Sequence, residues 1–141
     1  MKWLTAFLIL MPLHSAEAHD RQRDCIAQAI YWEARGLSDN GMRAVAEVIH
    51  NRVNHPAFPK TACGVVYQRR NGVCQFSWVC THGRPPTNNA SWQRAWRIAD
   101  EPRTNLTNGA LFFHAKYRTK WRHLVEVAEV EGNVFYTEKQ R

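Results

Sequence analysis

The chain has 141 residues, 45% of them hydrophobic, and 19 Lys and Arg against 12 Asp and Glu give it a formal net charge of +7. That length is enough for one domain with one folded core. The basic balance suits an anionic polymer, whether nucleic acid, an acidic membrane or a carboxylate-rich cell wall.

The N-terminus reads as a secretory signal peptide. Lys2 supplies the positive region, Trp3 to Leu13 form an apolar run broken only by Thr5 and Pro12, and Ala16-Glu17-Ala18 gives the small-x-small cleavage pattern. The run is too short to span a bilayer core of ~30 Å as a helix. A retained anchor would require cleavage after Ala18 to fail. No second run of ~18 apolar residues follows, so the mature protein is expected to be soluble, periplasmic or secreted, without stable membrane insertion. Removing residues 1–18 leaves 19–141 as a single domain. Lys2 and Glu17 depart together, so the charge excess is unchanged. An exported chain rarely meets nucleic acid, which leaves the cell wall as the expected partner. The sequence carries no signal of oligomeric state.

Within the domain there is no internal repeat, low-complexity tract or linker. A first helix is expected from Arg23 to Arg35, stopping at Gly36 as a C′ residue. Ser38 or Asp39 caps a second, from Asn40 to Asn54, ending before Pro56. Its residues Met42, Val45, Ala46, Ile49 and Val53 form one apolar stripe. Thr61 caps a short helix through Val65, Val66 and Tyr67. Asn89 caps another, on which Trp92, Ala95, Trp96 and Ala99 share a face before Pro102; the Trp pair reads as core packing rather than a sugar platform. Ala110 to His114 reads as a strand. Val125, Val127 and Val130, then Val134, Phe135 and Tyr136, flank Gly132-Asn133 as a two-residue hairpin turn. Helices followed by a small antiparallel sheet make the fold class α+β. Asn89-Ala-Ser91 and Asn105-Leu-Thr107 match the glycosylation acceptor pattern and are read as chance.

Four cysteines, Cys25, Cys63, Cys74 and Cys80, form an even set in an exported chain and read as two disulfides. Three pairings are possible; the short segment between Cys74 and Cys80 favours Cys74–Cys80 with Cys25–Cys63. The competing arrangement is a zinc site from Cys63, Cys74, Cys80 and His82. It lacks the tight C-x2–4-C knuckle, and an oxidising compartment disfavours free thiols. No metal or other cofactor is expected.

Glu33 is the candidate general acid. Ile26, Ala29, Ile30 and Glu33 stand at i, i+3, i+4 and i+7, with Leu37 further along, while Gln28 and Arg35 point the opposite way. A carboxyl on an apolar face loses hydration, which raises its pKa toward the range a general acid needs. The competing possibility is a Glu at the stripe's edge paired with a buried Arg. Glu47, four residues after Arg43, reads as a solvated ion pair without a catalytic role. Arg52, at the edge of the second helix's stripe, either snorkels to water or holds a carboxylate or sugar. Of seven histidines, His50, His55, His82, His114 and His123 lie in the domain proper, and none forms H-E-x-x-H, so a zinc amidase has weak support. A nucleophilic peptidase lacks both G-x-S-x-G and a free cysteine.

Tyr31-Trp-Glu33-Ala-Arg-Gly36 and Gly41-Met-Arg-Ala-Val-Ala-Glu-Val-Ile-His-Asn-Arg-Val53 are followed by Pro56-Ala-Phe-Pro59, Val65-Val-Tyr-Gln68, Gln75-Phe-Ser-Trp78 and Gly109-Ala-Leu-Phe-Phe-His114. Trp121 and Gly132-Asn-Val-Phe-Tyr136 complete the run. Together, over residues 25–137, this resembles the SleB/CwlJ-type cell-wall hydrolases, the spore-cortex-lytic enzymes and their non-spore relatives. The resemblance implies a lysozyme-like α+β fold and peptidoglycan glycan-strand cleavage, as a lytic transglycosylase or muramidase, with Glu33 as the catalytic residue. It implies that Gln75, Phe76, Ser77 and Trp78 line the glycan groove, with Phe113, His114 and Tyr136 nearby. Leu37 stands where many relatives carry a second Glu, and Val134 where a His often precedes Phe-Tyr.

One carboxylate suffices for a transglycosylase, because the muramyl 6-hydroxyl is its own nucleophile. A muramidase needs a second, for which Asp100, Glu101, Glu126, Glu129 and Glu131 are the candidates. From another class, a non-catalytic wall-binding protein would keep the fold and charge without needing Glu33.

Overall fold

The structure, a computed structural model, describes residues 13–140. Most of the expected signal segment therefore lies outside the described residues. The helices are α1 (Leu13–Ala34), α2 (Asp39–Val53), α3 (Ala62–Val66), α4 (Ser77–Thr81) and α5 (Ala90–Ala99). The strands are β1 (Arg69–Arg70), β2 (Val73–Cys74), β3 (Phe112–Ala115), β4 (Val125–Val130) and β5 (Asn133–Thr137). No helix among the described residues is long and apolar enough to cross a membrane.

α1 is the axis of the helical half, packed against α2, α3 and α5. It is buried on nearly every side from Cys25 to Tyr31 rather than along one stripe. Gln28 is accordingly a correction: it does not face water but lies in the interior, where Asp24 and the Tyr67 hydroxyl satisfy its amide. Gly36 does not take the left-handed φ expected of a C′ glycine. The helix ends because the chain turns directly into α2, with Leu37 N–H donating to Ala34 C=O at 2.9 Å.

Local capping holds as the residue types dictate. The oxygens of Ser38, Thr61 and Asn89 accept from the backbone N–H of Asn40, Gly64 and Trp92, opening α2, α3 and α5. Glu131 reaches across from the β4–β5 turn to the Ser38 N–H and hydroxyl. The approach is close enough that a Cβ at Gly41 would lie 2.5 Å from the Glu131 carboxylate and 2.6 Å from Leu37 Cβ, so only glycine fits there. Trp92 lies in the helical core and Trp96 packs against it under the Arg23 guanidinium, as expected of core tryptophans.

Cys25–Cys63 ties α1 to α3, and Cys74–Cys80 closes a short loop around the start of α4. These are the favoured pairings, and they leave none of the cysteines for the zinc arrangement. The sequence reading did not include β1, β2 or α4. β1 and β2 form a hairpin about Asn71-Gly72, whose φ values of 51° and 76° are those an Asn-Gly two-residue turn supplies.

The second sheet is antiparallel with order β3-β5-β4. Its hairpin turn is Glu131-Gly132, both at positive φ (46° and 81°), with Asn133 already paired to Val130. The turn is thus one residue earlier than expected, and Glu131 gains the position from which it reaches Ser38. Ala44 and Val48 of α2 pack with Ala110 and Phe135 in a smaller core, so α2 is shared between the helical half and the sheet.

Candidate active site

A cleft of about 960 Å³ opens between the two halves. α1 contributes Glu33 and α2 contributes Arg52. The β2–α4 segment contributes Gln75, Phe76 and Ser77, and β3 with the loop after it contributes Phe112 to Ala115, Tyr117 to Thr119 and Trp121. A second hollow of about 640 Å³ has Glu138 as its one carboxylate, and that residue is exposed to water.

Glu33 sits in the last turn of α1, where the helix's own carbonyls disfavour a negative charge. Burial raises its pKa above the ordinary carboxylate value, and the positive charge of Arg52 offsets part of that rise. Among the described residues no side-chain hydrogen bond contributes to holding its ionised form. Such a carboxyl keeps its proton to higher pH than a solvated one.

Arg52 is 6% exposed and so does not snorkel to water. Its Nε donates to the Leu111 carbonyl at 2.7 Å, and its guanidinium carbon lies 5.3, 5.3 and 5.7 Å from the ring centres of Phe58, Phe76 and Phe112. Burial brings its pKa down to about 10, which leaves it charged at neutral pH.

Of the expected groove residues, Gln75, Phe76, Ser77, Phe113 and His114 line the cleft with Glu33. Trp78 and Tyr136 stand behind its wall, at 3% and 1% exposure. Trp78 turns inward because α4 begins at Ser77, so the segment rotates by about 100° per residue instead of alternating. Tyr136, on the central strand, stacks against His114 and Trp121, and thereby backs the histidine that faces the cleft. The His114 Nε2 and the Tyr136 hydroxyl are buried without a partner among the described residues.

The other acids are engaged elsewhere. Asp100 pairs with His19 and Arg23, Glu101 with Arg43 and Arg97, Glu126 with Lys120, Glu129 with Lys116, and Glu131 caps α2 through Ser38. Glu47 is a correction: it is 3% exposed rather than solvated, and accepts the Thr107 N–H at 2.7 Å instead of pairing with Arg43. Among the described residues lining the cleft, Glu33 is the only acid.

The sequence reading offered Arg52 as a holder of a carboxylate or sugar only beside the snorkelling alternative, and it did not place Phe112, Tyr117, Arg118, Thr119 or Trp121 in the site. The signal for Arg52 was present, since Val45, Ile49 and Arg52 stand at i, i+4 and i+7 on one face. Tyr117 and Trp121, interleaved with basic residues between two strands, were the signal for the loop.

The model of the cell wall hydrolase family matches residues 36–136. The spore cortex-lytic enzyme of Bacillus subtilis is 49% identical over 43 residues, which is 30% of this chain and 14% of that protein. Its counterpart in Halalkalibacterium halodurans is 47% identical over 49 residues, 35% of this chain and 15% of that protein. The match therefore spans a small part of those relatives' length. The crystal structure of the catalytic domain of the Bacillus cereus SleB protein superposes with a TM-score of 0.63 at 26% identity, covering 84% of this chain and 90% of that one. The catalytic domain of the germination-specific lytic transglycosylase SleB from Bacillus anthracis gives the same TM-score and identity and is covered to 94%. The fold is thus the lysozyme-like α+β fold of these neighbours. The family match begins three residues after Glu33, so the case for that residue is carried by the cleft.

Proposed function

The chain belongs to the cell wall hydrolase family, and we propose that it cleaves the glycan strands of peptidoglycan as a lytic transglycosylase, with Glu33 acting first as general acid and then as general base. The observation that carries the reading is the partly desolvated carboxyl of Glu33, the only acid among the described residues lining a cleft of about 960 Å³. Burial lets Glu33 keep its proton to higher pH than a solvated carboxyl, available for the oxygen leaving the muramyl C1. As that bond breaks, positive charge develops on the muramyl ring. The Glu33 carboxylate then takes the proton of the muramyl 6-hydroxyl, whose oxygen bonds to C1 of the same ring. Glu33 ends protonated, no water is consumed, and the product ends in a 1,6-anhydro sugar. An intramolecular nucleophile needs no second carboxylate to orient it, and proximity supplies part of the rate. A hydrolytic glycosidase would place a second acid about 5–9.5 Å from the first.

Around Glu33, Gln75 and Ser77 supply polar contacts to sugar hydroxyl and acetamido groups. Phe113, with Tyr117 and Trp121 from the loop, supplies faces for sugar rings. His114, backed by Tyr136, presents a ring to the same surface. Residues 1–18 serve as an export signal removed after Ala18, delivering residues 19–141 to the wall outside the cytoplasm. The name of the Bacillus anthracis neighbour, a lytic transglycosylase, supports the same chemistry.

The test is Glu33→Gln, nearly isosteric but without an acidic proton. Digestion of purified cell walls should fall by about 10³-fold, with the circular dichroism spectrum unchanged. Near-normal digestion by the folded variant would overturn the assignment.

A further inference from the structure

α2 buries Val45 and Ile49 completely and then places Arg52 on the same face. A leucine or methionine would fill that space without the cost of desolvating a charge. The guanidinium is held instead, in one orientation, by the Leu111 carbonyl and the rings of Phe58, Phe76 and Phe112. Its Nη1 is sealed from solvent with no acceptor among the described residues. A buried donor left unpaired is costly to stability, and such costs concentrate where function requires them. Arg52 lines the cleft together with Glu33.

We propose that Arg52 is a positioning residue for the proposed reaction: a fixed positive charge beside Glu33 that makes the carboxyl release its proton to the leaving oxygen. The inference rests on the transglycosylase reading. Burial alone gives an acid that keeps its proton but resists becoming an anion. Arg52 favours the anion, and so sets how far desolvation is allowed to act. Other charged or titratable groups stand around the pair. Arg35 directly follows α1, His114 is on β3, and Tyr117 and Arg118 are on the following loop. From the neighbouring elements, Glu47 of α2 is held by Thr107, Arg94 and Arg97 of α5 by Asp39, and α3 offers only the bridged Cys63. Arg70 of β1 acts on Arg52. Among these, Arg52 is the charge acting on Glu33.

The experiment measures the pH dependence of wall digestion by the full chain carrying Arg52→Met or Arg52→Lys. The alkaline limb reports loss of the Glu33 proton. Removing a charge that favours the anion raises the Glu33 pKa, so Arg52→Met should move that limb to higher pH. It should also lower kcat about tenfold, with KM within about twofold of wild type. Arg52→Lys should restore the limb toward its original position. If Arg52→Met does not fold, Arg52→Gln, which keeps a donor for the Leu111 carbonyl, carries the same expectation. A limb that stays in place in a folded, uncharged variant would overturn the proposal, as would an equal displacement with Lys. Glu33→Gln run alongside separates the two claims: if it is inactive while the limb is unmoved, the role of Arg52 alone has failed.

Discussion

Glu47 lies deeper in the molecule than Glu33, yet its surroundings give it the more ordinary task. At the seam between α2 and the 104–110 segment, its carboxylate meets the Thr107 N–H at 2.7 Å, and the side chain joins two parts of the fold. Glu33, on the neighbouring helix, faces a cleft with no hydrogen bond contributing to its ionised form. Water is withdrawn from Glu47 and, in part, from the half-buried Glu33. What differs is whether a donor replaces it, and that difference separates a structural carboxylate from a reactive one.

Exchanging the roles is the sharpest way to break this contrast, and Glu33→Gln has the largest expected effect. Besides the loss of digestion, it should leave the urea midpoint unchanged or slightly raised, because it removes a poorly solvated carboxyl that no backbone donor needs. Glu47→Ala should do the reverse. Leaving the Thr107 N–H unpaired should cost about 1–3 kcal/mol in urea unfolding, while kcat per folded molecule stays at the wild-type value. If Glu47→Ala abolished cleavage without destabilising the protein, the division of labour would be wrong.

Asp39 provides a third environment and the smallest effect. It is half-exposed, and Arg97 and Arg94 bind it strongly enough to hold its pKa at about 2. The unfolded value is ~3.9. A depressed folded pKa contributes stability that is present above the unfolded value and lost as pH falls toward the folded one. Asp39→Asn should therefore lower the urea midpoint slightly at pH 7 and flatten its decline between about pH 4 and pH 2. An unchanged slope would show that these pairs add nothing measurable.

Local features were the most legible part of the sequence. Ser38, Thr61 and Asn89 cap helices because each acts on a backbone N–H two or three residues away, and the Cys74–Cys80 bridge spans only six positions. The burial of Gln28 and Glu47 was not legible, because each is satisfied by a residue 39 or 60 positions distant. A helical wheel assumes one buried face, whereas α1 is enclosed by three helices. Asn71-Gly72 was a plain hairpin signal that the sequence reading did not use. The inward turn of Trp78 depends on α4, which has no apolar period long enough to show it. In the site, Glu33 and the wall residues Gln75 to Ser77 were legible; the charge beside Glu33 depended on how α2 packs.

The central claim is that one carboxylate performs both proton transfers, and product chemistry tests it most directly. Purified peptidoglycan digested by the wild-type protein in heavy-oxygen water should yield new muramyl ends that carry no label, are one water lighter than hydrolytic ends, and resist borohydride reduction. Label in most of the new muramyl ends would contradict the account. It would mean that water is the nucleophile and that an acid from elsewhere in the chain activates it, making the protein a muramidase.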